Sequence, residues 1–199
     1  MTWKLSGSML DEKSTEELIK DLLEKRGHES QHQIEKFMNP EYKDFKNPFD
    51  FENMEAIVNK IIFARENKEK IFIYGDYDVD GCTAVALVYK FLRQFYSNID
   101  YYIPDRYEEG YGVSKKGIDF AKESGVKLII ILDCGIKAVE EITYAKKQGI
   151  DFIICDHHVP DDNMPPAVAI LNPKRADDSF PFKDLCVCVC NYSFEDDLE

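Results

Sequence analysis

The spacing of hydrophobic positions changes near residue 70. Upstream, the segment STEELIKDLLEKRG places Leu18, Leu22 and Leu23 three to four residues apart, the interval of a single helix face, with Ser14 as N-cap and Gly27 as stop. A stretch containing proline and aromatic residues, FMNPEYKDFKNPFDFENM, connects this helix to a second one expected around Met54 to Asn67. Downstream, the short apolar runs KIFIYG, IDYYIP, KLIIIL, IDFIIC and AVAILN alternate with helical segments such as TAVALVYKFLRQFY, SKKGIDFAKESG and AVEEITYAKKQG. Continuous runs such as Leu128 to Leu132 suit strands buried on both faces. The pattern predicts an α/β fold: an open, mostly parallel sheet of about five strands, flanked by helices, with an N-terminal helical extension. The expected organisation is an extension and connector over 1–69, the α/β domain over 70–186 and an atypical tail over 187–199.

Composition narrows the function. Lys and Arg number 25 against 38 Asp and Glu, a formal net charge of −13. Broad electrostatic capture of duplex nucleic acid, which depends on basic side chains displacing counterions, is disfavoured. A phosphate substrate is not, because a cation held by carboxylates reverses the local field. No stretch approaches the roughly 20 apolar residues of a membrane span, and MTWKLSGSMLDEK lacks the apolar core of a secretory signal, so a soluble cytoplasmic protein is expected. Three of the six cysteines, Cys82, Cys134 and Cys155, lie in or beside apolar runs as small hydrophobes, and a disulfide framework is not expected. Cys186, Cys188 and Cys190 alternate as in an edge strand and lack the spacing of a structural zinc site.

In open α/β sheets ligands bind at the carboxyl ends of the strands. After the first run come Asp76, Asp78 and Asp80, immediately before a helix expected to begin near Cys82 or Thr83; after the third comes Asp133 with Cys134 and Gly135; after the fourth come Asp156, His157 and His158. Helix capping accounts for one aspartate of the triplet, not for three at alternate positions. An EF-hand loop would need Glu at its twelfth position, where Leu87 stands. So many carboxylates at one edge stay ionised only if cations compensate them. Oxygen ligands with one or two imidazoles suit Mn²⁺ better than Mg²⁺, and two such ions about 3.5–4 Å apart would activate water against a phosphoester. His28 and His32, four apart on an expected helix, have no neighbours to complete a ligand set.

DYDVDG, LDCG and DHH, in this order on successive strand ends, resemble the first three motifs of the DHH phosphoesterase superfamily. The wider set, from LLEKRGH and FMNP through IYGDYDVDGCTA, YIPDRYEEGYGVS, LDCGI and DHH to LNPKR and FPFKDLC, is similar to its RecJ-type single-stranded-DNA exonucleases over roughly residues 18 to 186. The resemblance implies metal positions at Asp78, Asp80, Asp133 and His157, with Asp76 a further or supporting ligand. It implies catalytic roles for His158, near the scissile phosphate, and Asp156, orienting its neighbours. It places Arg106, Gly110, Tyr111 and Gly112 beside the substrate. The implied activity is 5′-to-3′ hydrolysis of single-stranded DNA in repair and recombination, with two Mn²⁺ or Mg²⁺ ions in the complete enzyme, and the implied partners are single-stranded DNA and repair or recombination proteins, with no membrane.

Two positions depart from the pattern. Tyr74 stands where the superfamily has a histidine, and after FPFKDLC the chain reads VCVCNYSFEDDLE where the family continues with Gly-x-Gly-Val. The fourth motif and the DNA-binding domains of the family are expected beyond Glu199, so the chain by itself is expected to be weakly active or inactive. The alternatives are a DHH phosphoesterase for short oligonucleotides or cyclic dinucleotides, an inactive interaction module, and a phospho-acceptor receiver with Lys174 after strand five; the His pair disfavours the last.

Overall fold

The computed structural model describes residues 14–186, apart from the side chain of Tyr42. The tail expected over 187–199, with Cys188 and Cys190, lies outside the described residues. Contacts divide the chain into two compact units, Met1–Phe45 and Lys46–Glu199.

In the first unit, α1 (Thr15–Glu24) and α2 (Gln31–Met38) each begin with a capping box. The Ser14 hydroxyl accepts from the Glu17 N–H at 3.2 Å while the Glu17 carboxylate accepts from the Ser14 N–H at 2.8 Å, and Ser30 and Gln33 repeat the device. Ser14 thus caps α1 as expected. His28 and His32 do not share a helix: Gly27, at φ 90°, ends the first turn system, Ser30 starts another, and His28 packs its ring 4.7 Å from that of Phe37 in the linker.

The second unit carries five parallel strands, β1 (Lys70–Gly75), β2 (Ile99–Tyr102), β3 (Val126–Leu132), β4 (Asp151–Cys155) and β5 (Ala169–Leu171), in the order β2-β1-β3-β4-β5. Alternate residues of each strand feed two cores. One joins Ile71, Ile73, Ile130, Leu132 and Ile153 to α3 (Met54–Glu66) and α4 (Val79–Phe95); the other joins Phe72, Tyr74, Ile129, Ile131 and Phe152 to α5 (Lys115–Glu123) and α6 (Val139–Lys147). The α/β sheet follows the apolar runs closely. The packing boundary, however, falls before Lys46 rather than near residue 69, because Met54, Ile57, Ile61 and Ala64 of α3 are buried in the sheet's own core. Among the described residues no helix is long and apolar enough to cross a membrane.

One helix starts earlier than its apolar pattern suggests. α4 begins at Val79 rather than near Cys82, because the Asp78 carboxylate accepts from the Gly81 N–H at 3.0 Å and its carbonyl from the Cys82 N–H at 2.9 Å. Asp80 therefore sits in the first turn of the helix, where the helix dipole favours an anion. Gly81 permits this tight join: a Cβ there would lie 2.4 Å from the Asp76 carbonyl oxygen and 2.7 Å from its backbone carbon and nitrogen. Gly81→Ala is expected to force the end of β1 from α4 and to cost about 1–3 kcal/mol or more, the range for overpacking. An unchanged urea midpoint for the variant would show that the join has slack.

Candidate metal centre

The chain leaves β1 towards β2 on one side of the sheet and leaves β3 towards β4 on the other, so the crevice between the carboxyl ends of β1 and β3 is the topological switch point. The chemistry-bearing residues converge there. Asp76, Asp78 and Asp80 follow β1, Asp133 follows β3, and Asp156, His157 and His158 follow β4.

Asp133, His157 and His158 offer ligand atoms that all lie within 4.8 Å of one another, the one such group found among the described residues. Asp133 is 2% exposed, and its Oδ1 stands 3.2 Å from His157 Nε2 but has no hydrogen-bond partner. Burial first, then the neighbouring Asp78 and Asp80, push the Asp133 carboxyl up to about 7. Burial, aided by the charge of Asp78 and opposed by a backbone hydrogen bond from Tyr77, also raises Asp76, whose Oδ1 is a second buried oxygen with no hydrogen-bond partner. Burial, followed by the charge of His158, holds His157 below the usual imidazole range, so its ring is neutral near pH 7 and keeps a lone pair for ligation. A divalent cation at the Asp133 group would satisfy that orphaned carboxylate oxygen and offset the charges of the carboxylates around it. The donor set of carboxylate oxygens with imidazole nitrogens fits Mn²⁺.

Asp133 has another unusual feature, a φ of 65°. That left-handed geometry turns its side chain out of the strand direction and is uncommon for a residue other than glycine. Its N–H donates to the Cys155 carbonyl at 3.0 Å, so the β3–β4 ladder itself fixes the turn.

Asp156 organises the loop rather than joining this group. It is 1% exposed; Oδ2 accepts from the Ile136 N–H at 3.0 Å, and Oδ1 accepts from the backbone N–H of His157 at 2.7 Å and of His158 at 3.0 Å. The same Oδ1 lies 2.7 Å from His158 Nδ1, an arrangement that fixes the ring and leaves its Nε2 without this partner. Sequence reasoning missed a support from β5. Fully buried Asn172 donates from Nδ2 to the His158 carbonyl at 2.9 Å and accepts from the Lys174 N–H at 2.8 Å. An Asn directly before Pro at a strand end was the available signal.

Of the expected substrate-side residues, Tyr111 and Gly112 line a cavity with His158, and Arg106 lies against Tyr77. Tyr111 Oη reaches the Asp133 carbonyl at 3.5 Å, and the Tyr111 ring meets that of His158 edge-on with centroids 6.3 Å apart. The Arg106 guanidinium lies 5.3 Å from the Tyr77 ring centroid. Gly110 and Gly112 have φ of 80° and 82°, and a Cβ at either would meet nothing within 4 Å, so these glycines serve backbone geometry rather than close approach. A cavity of about 290 Å³ opens alongside, lined among others by Tyr111, Gly112, Cys134, Lys137 and His158.

The strand order is one that phospho-acceptor receivers also use, so the sheet by itself leaves that alternative open. The N-terminal domain of the DHH family matches residues 70–196, spanning all three strand-end clusters. The chain belongs to the DHH family. It is 40% identical over 168 residues to the single-stranded-DNA-specific exonuclease RecJ of Bacillus subtilis (strain 168), covering 84% of this chain and 21% of that protein. The chain thus spans about a fifth of the length of that relative. Among solved structures, it is similar to exonuclease RecJ bound to manganese, with a TM-score of 0.63 and 28% identity over 71% of this chain and 35% of the other. RecJ from Thermus thermophilus in complex with Mn²⁺ shares the fold, with a TM-score of 0.60 at 21% identity over 73% of this chain and 21% of the other.

Proposed function

We propose that this DHH domain holds Mn²⁺ and belongs to a RecJ-type enzyme that hydrolyses phosphodiesters of single-stranded DNA from the 5′ end, in repair and recombination. The observation that carries the reading is the buried Asp133 carboxylate, orphaned at Oδ1 and 3.2 Å from His157 Nε2, on a chain similar to exonucleases of that name. Asp133 and His157 are the core ligands, with Asp78, Asp80 and Asp76 supplying the remaining carboxylates for a first or second ion. Bound ions would supply Lewis-acid activation of water and neutralisation of phosphoryl charge. The protein's own groups do the positioning. Asp156 fixes the His158 ring at the edge of the group, where its free Nε2 can meet a phosphate oxygen or complete the ligand set. In this reading Arg106, which lies over the Tyr77 ring between two of the aspartates, pairs with a backbone phosphate, and the cavity beside Tyr111 receives the terminal nucleotide.

Metal affinity should carry the signature of proton displacement. Binding to Asp133 must expel the proton that holds at about pH 7, so the apparent Mn²⁺ affinity is expected to rise by about tenfold per pH unit below that value and to level off above it. Calorimetric titration across this range measures it. Absence of binding heat at millimolar Mn²⁺, or an Asp133→Asn titration identical to the parent's, would refute the metal centre. The substrate is tested with a 5′-labelled single-stranded oligonucleotide. Mn²⁺-dependent release of nucleotides from the 5′ end, absent in Asp133→Asn, supports the reading, whereas equal action on duplex or release from the 3′ end overturns it.

A further inference from the structure

Tyr74 occupies the last buried position of β1 before Gly75, and its side chain does not turn to the metal group. Its ring lies on the α5 side of the sheet, stacked on Tyr102 with centroids 5.3 Å apart, and the residue is fully buried. Its hydroxyl crosses to the loop between β2 and α5: Oη donates to the Gly112 carbonyl at 3.1 Å and accepts from the Ser114 N–H at 3.1 Å. One phenol therefore satisfies both backbone groups flanking Val113.

The same loop is gripped from β2. The Glu109 carboxylate accepts from Tyr102 Oη at 2.9 Å and from the Asp105 N–H at 2.9 Å, and it also bonds the Ser114 hydroxyl. Ser114 in turn caps α5 through the Gly117 N–H at 2.8 Å. The two stacked tyrosines thus each hold one strand of the sheet to the segment that bears Arg106, Tyr107 and Tyr111. Gly117 leaves room for them: a Cβ there would stand 2.9 Å from the Tyr74 ring and 3.0 Å from that of Tyr102.

We propose that Tyr74 is a positioning residue, latching the Arg106–Gly112 loop to the strand end that carries Asp76, so that the loop stands pre-formed over the metal group. The inference rests on the assignment of that loop to the substrate side of the centre. Arg106 and Tyr107 are themselves exposed, and the loop's backbone sets where they stand. With no latch, the left-handed glycines at 110 and 112 would leave the segment free to sample many conformations. A tyrosine hydroxyl can donate and accept at once, which is what the Gly112 carbonyl and the Ser114 N–H together require.

The test uses the whole chain with two variants, Tyr74→Phe and Glu109→Gln, and three readouts: hydrogen exchange of the amides from Tyr107 to Ser114, Mn²⁺ affinity by titration, and capture of a fluorescent 5′-phosphorylated oligothymidylate with Mn²⁺ present. Tyr74→Phe is expected to speed exchange in this segment at least tenfold and to weaken oligonucleotide capture at least fivefold, while Mn²⁺ affinity stays within twofold of the parent. Glu109→Gln should move the same readouts in the same direction without touching the buried phenol, which keeps the test decisive if Tyr74→Phe folds poorly. Unchanged loop exchange in both variants overturns the latch, and so does an Mn²⁺ affinity that falls as far as oligonucleotide capture, since Tyr74 would then act through the metal group. If the parent itself binds no Mn²⁺, the metal reading fails, and loop exchange still decides the latch.

Discussion

Asp133→Asn is expected to yield a metal-free protein that is more stable than its parent at pH 8 and that no longer responds to Mn²⁺. The sign follows from where the proton sits. An unfolded Asp133 ionises near 3.8, whereas in the fold its carboxyl holds its proton up to about pH 7. Between these values the folded chain binds more protons than the unfolded one, so stability falls as pH rises through this window and the full penalty is present above about pH 7. With about 1.4 kcal/mol for each pH unit crossed, the penalty in a residue 2% exposed is on the order of 4 kcal/mol at most. Asparagine escapes it, being neutral, and tolerates the φ of 65° at this position better than most residues. The metal-free variant should therefore unfold roughly 5–10 °C above the parent at pH 8, by the scaling for chains of this size, and coincide with it near pH 4. Added Mn²⁺ should raise the parent's midpoint and leave the variant's unmoved. Thermal scans of both at pH 4 and pH 8, with and without Mn²⁺, measure this, and equal midpoints at pH 8 without metal would show that the carboxylate is not under strain.

That trade of stability for function was partly legible in the residues alone. The crowding of carboxylates at one sheet edge follows from strands whose ends are set by apolar runs such as KLIIIL and IDFIIC, so Asp133 and His157 could be placed together before any coordinates. Local hydrogen bonding, by contrast, shifted the elements that periodicity placed less well. The start of α4 moved back to Val79 because Asp78 acts as a cap and Gly81 fits against Asp76, although Val-Asp-Gly is a poor helical beginning by propensity. The eight residues of α2 are short, and Ser30 restarts the chain between two histidines whose spacing of four suggested a single helix. The least legible features are bonds between residues far apart in sequence. Tyr74 meets Gly112, Asn172 meets His158 and Asp156 meets Ile136, and no spacing rule links these pairs, since the crossovers of the sheet bring them together.

Asp156 shows what such a bond supports, and its removal should have the largest structural effect of any single change at the site. Three backbone N–H groups, a buried one from Ile136 and partly buried ones from His157 and His158, converge on its carboxylate together with the His158 ring. These donors come from two loops, one after β3 and one after β4, so a single side chain ties the two neighbouring loops beside the crevice together. Asp156→Ala would strand the buried Ile136 N–H at a cost of about 1–3 kcal/mol, while water could enter the adjoining cavity and reach the partly buried His157 and His158 N–H groups, so these add less. A loss of about 2–4 kcal/mol is expected, a large share of the 5–15 kcal/mol by which domains are usually stable, and the variant is expected to unfold at a clearly lower urea midpoint than the parent. Asp156→Asn separates the structural role from the metal role. It keeps one acceptor oxygen but turns an amide NH₂ towards a backbone donor or the His158 ring, so the fold should survive with a loss of about 1–3 kcal/mol while His158 loses its fixed orientation. Mn²⁺ affinity should then fall by about 10- to 100-fold, as when the groups that orient metal-bound imidazoles are removed. Urea denaturation of both variants, paired with Mn²⁺ titration of Asp156→Asn, tests the assignment. Parent-like Mn²⁺ affinity in a folded Asp156→Asn would show that the His158 ring needs no such anchor and that Asp156 serves the fold alone.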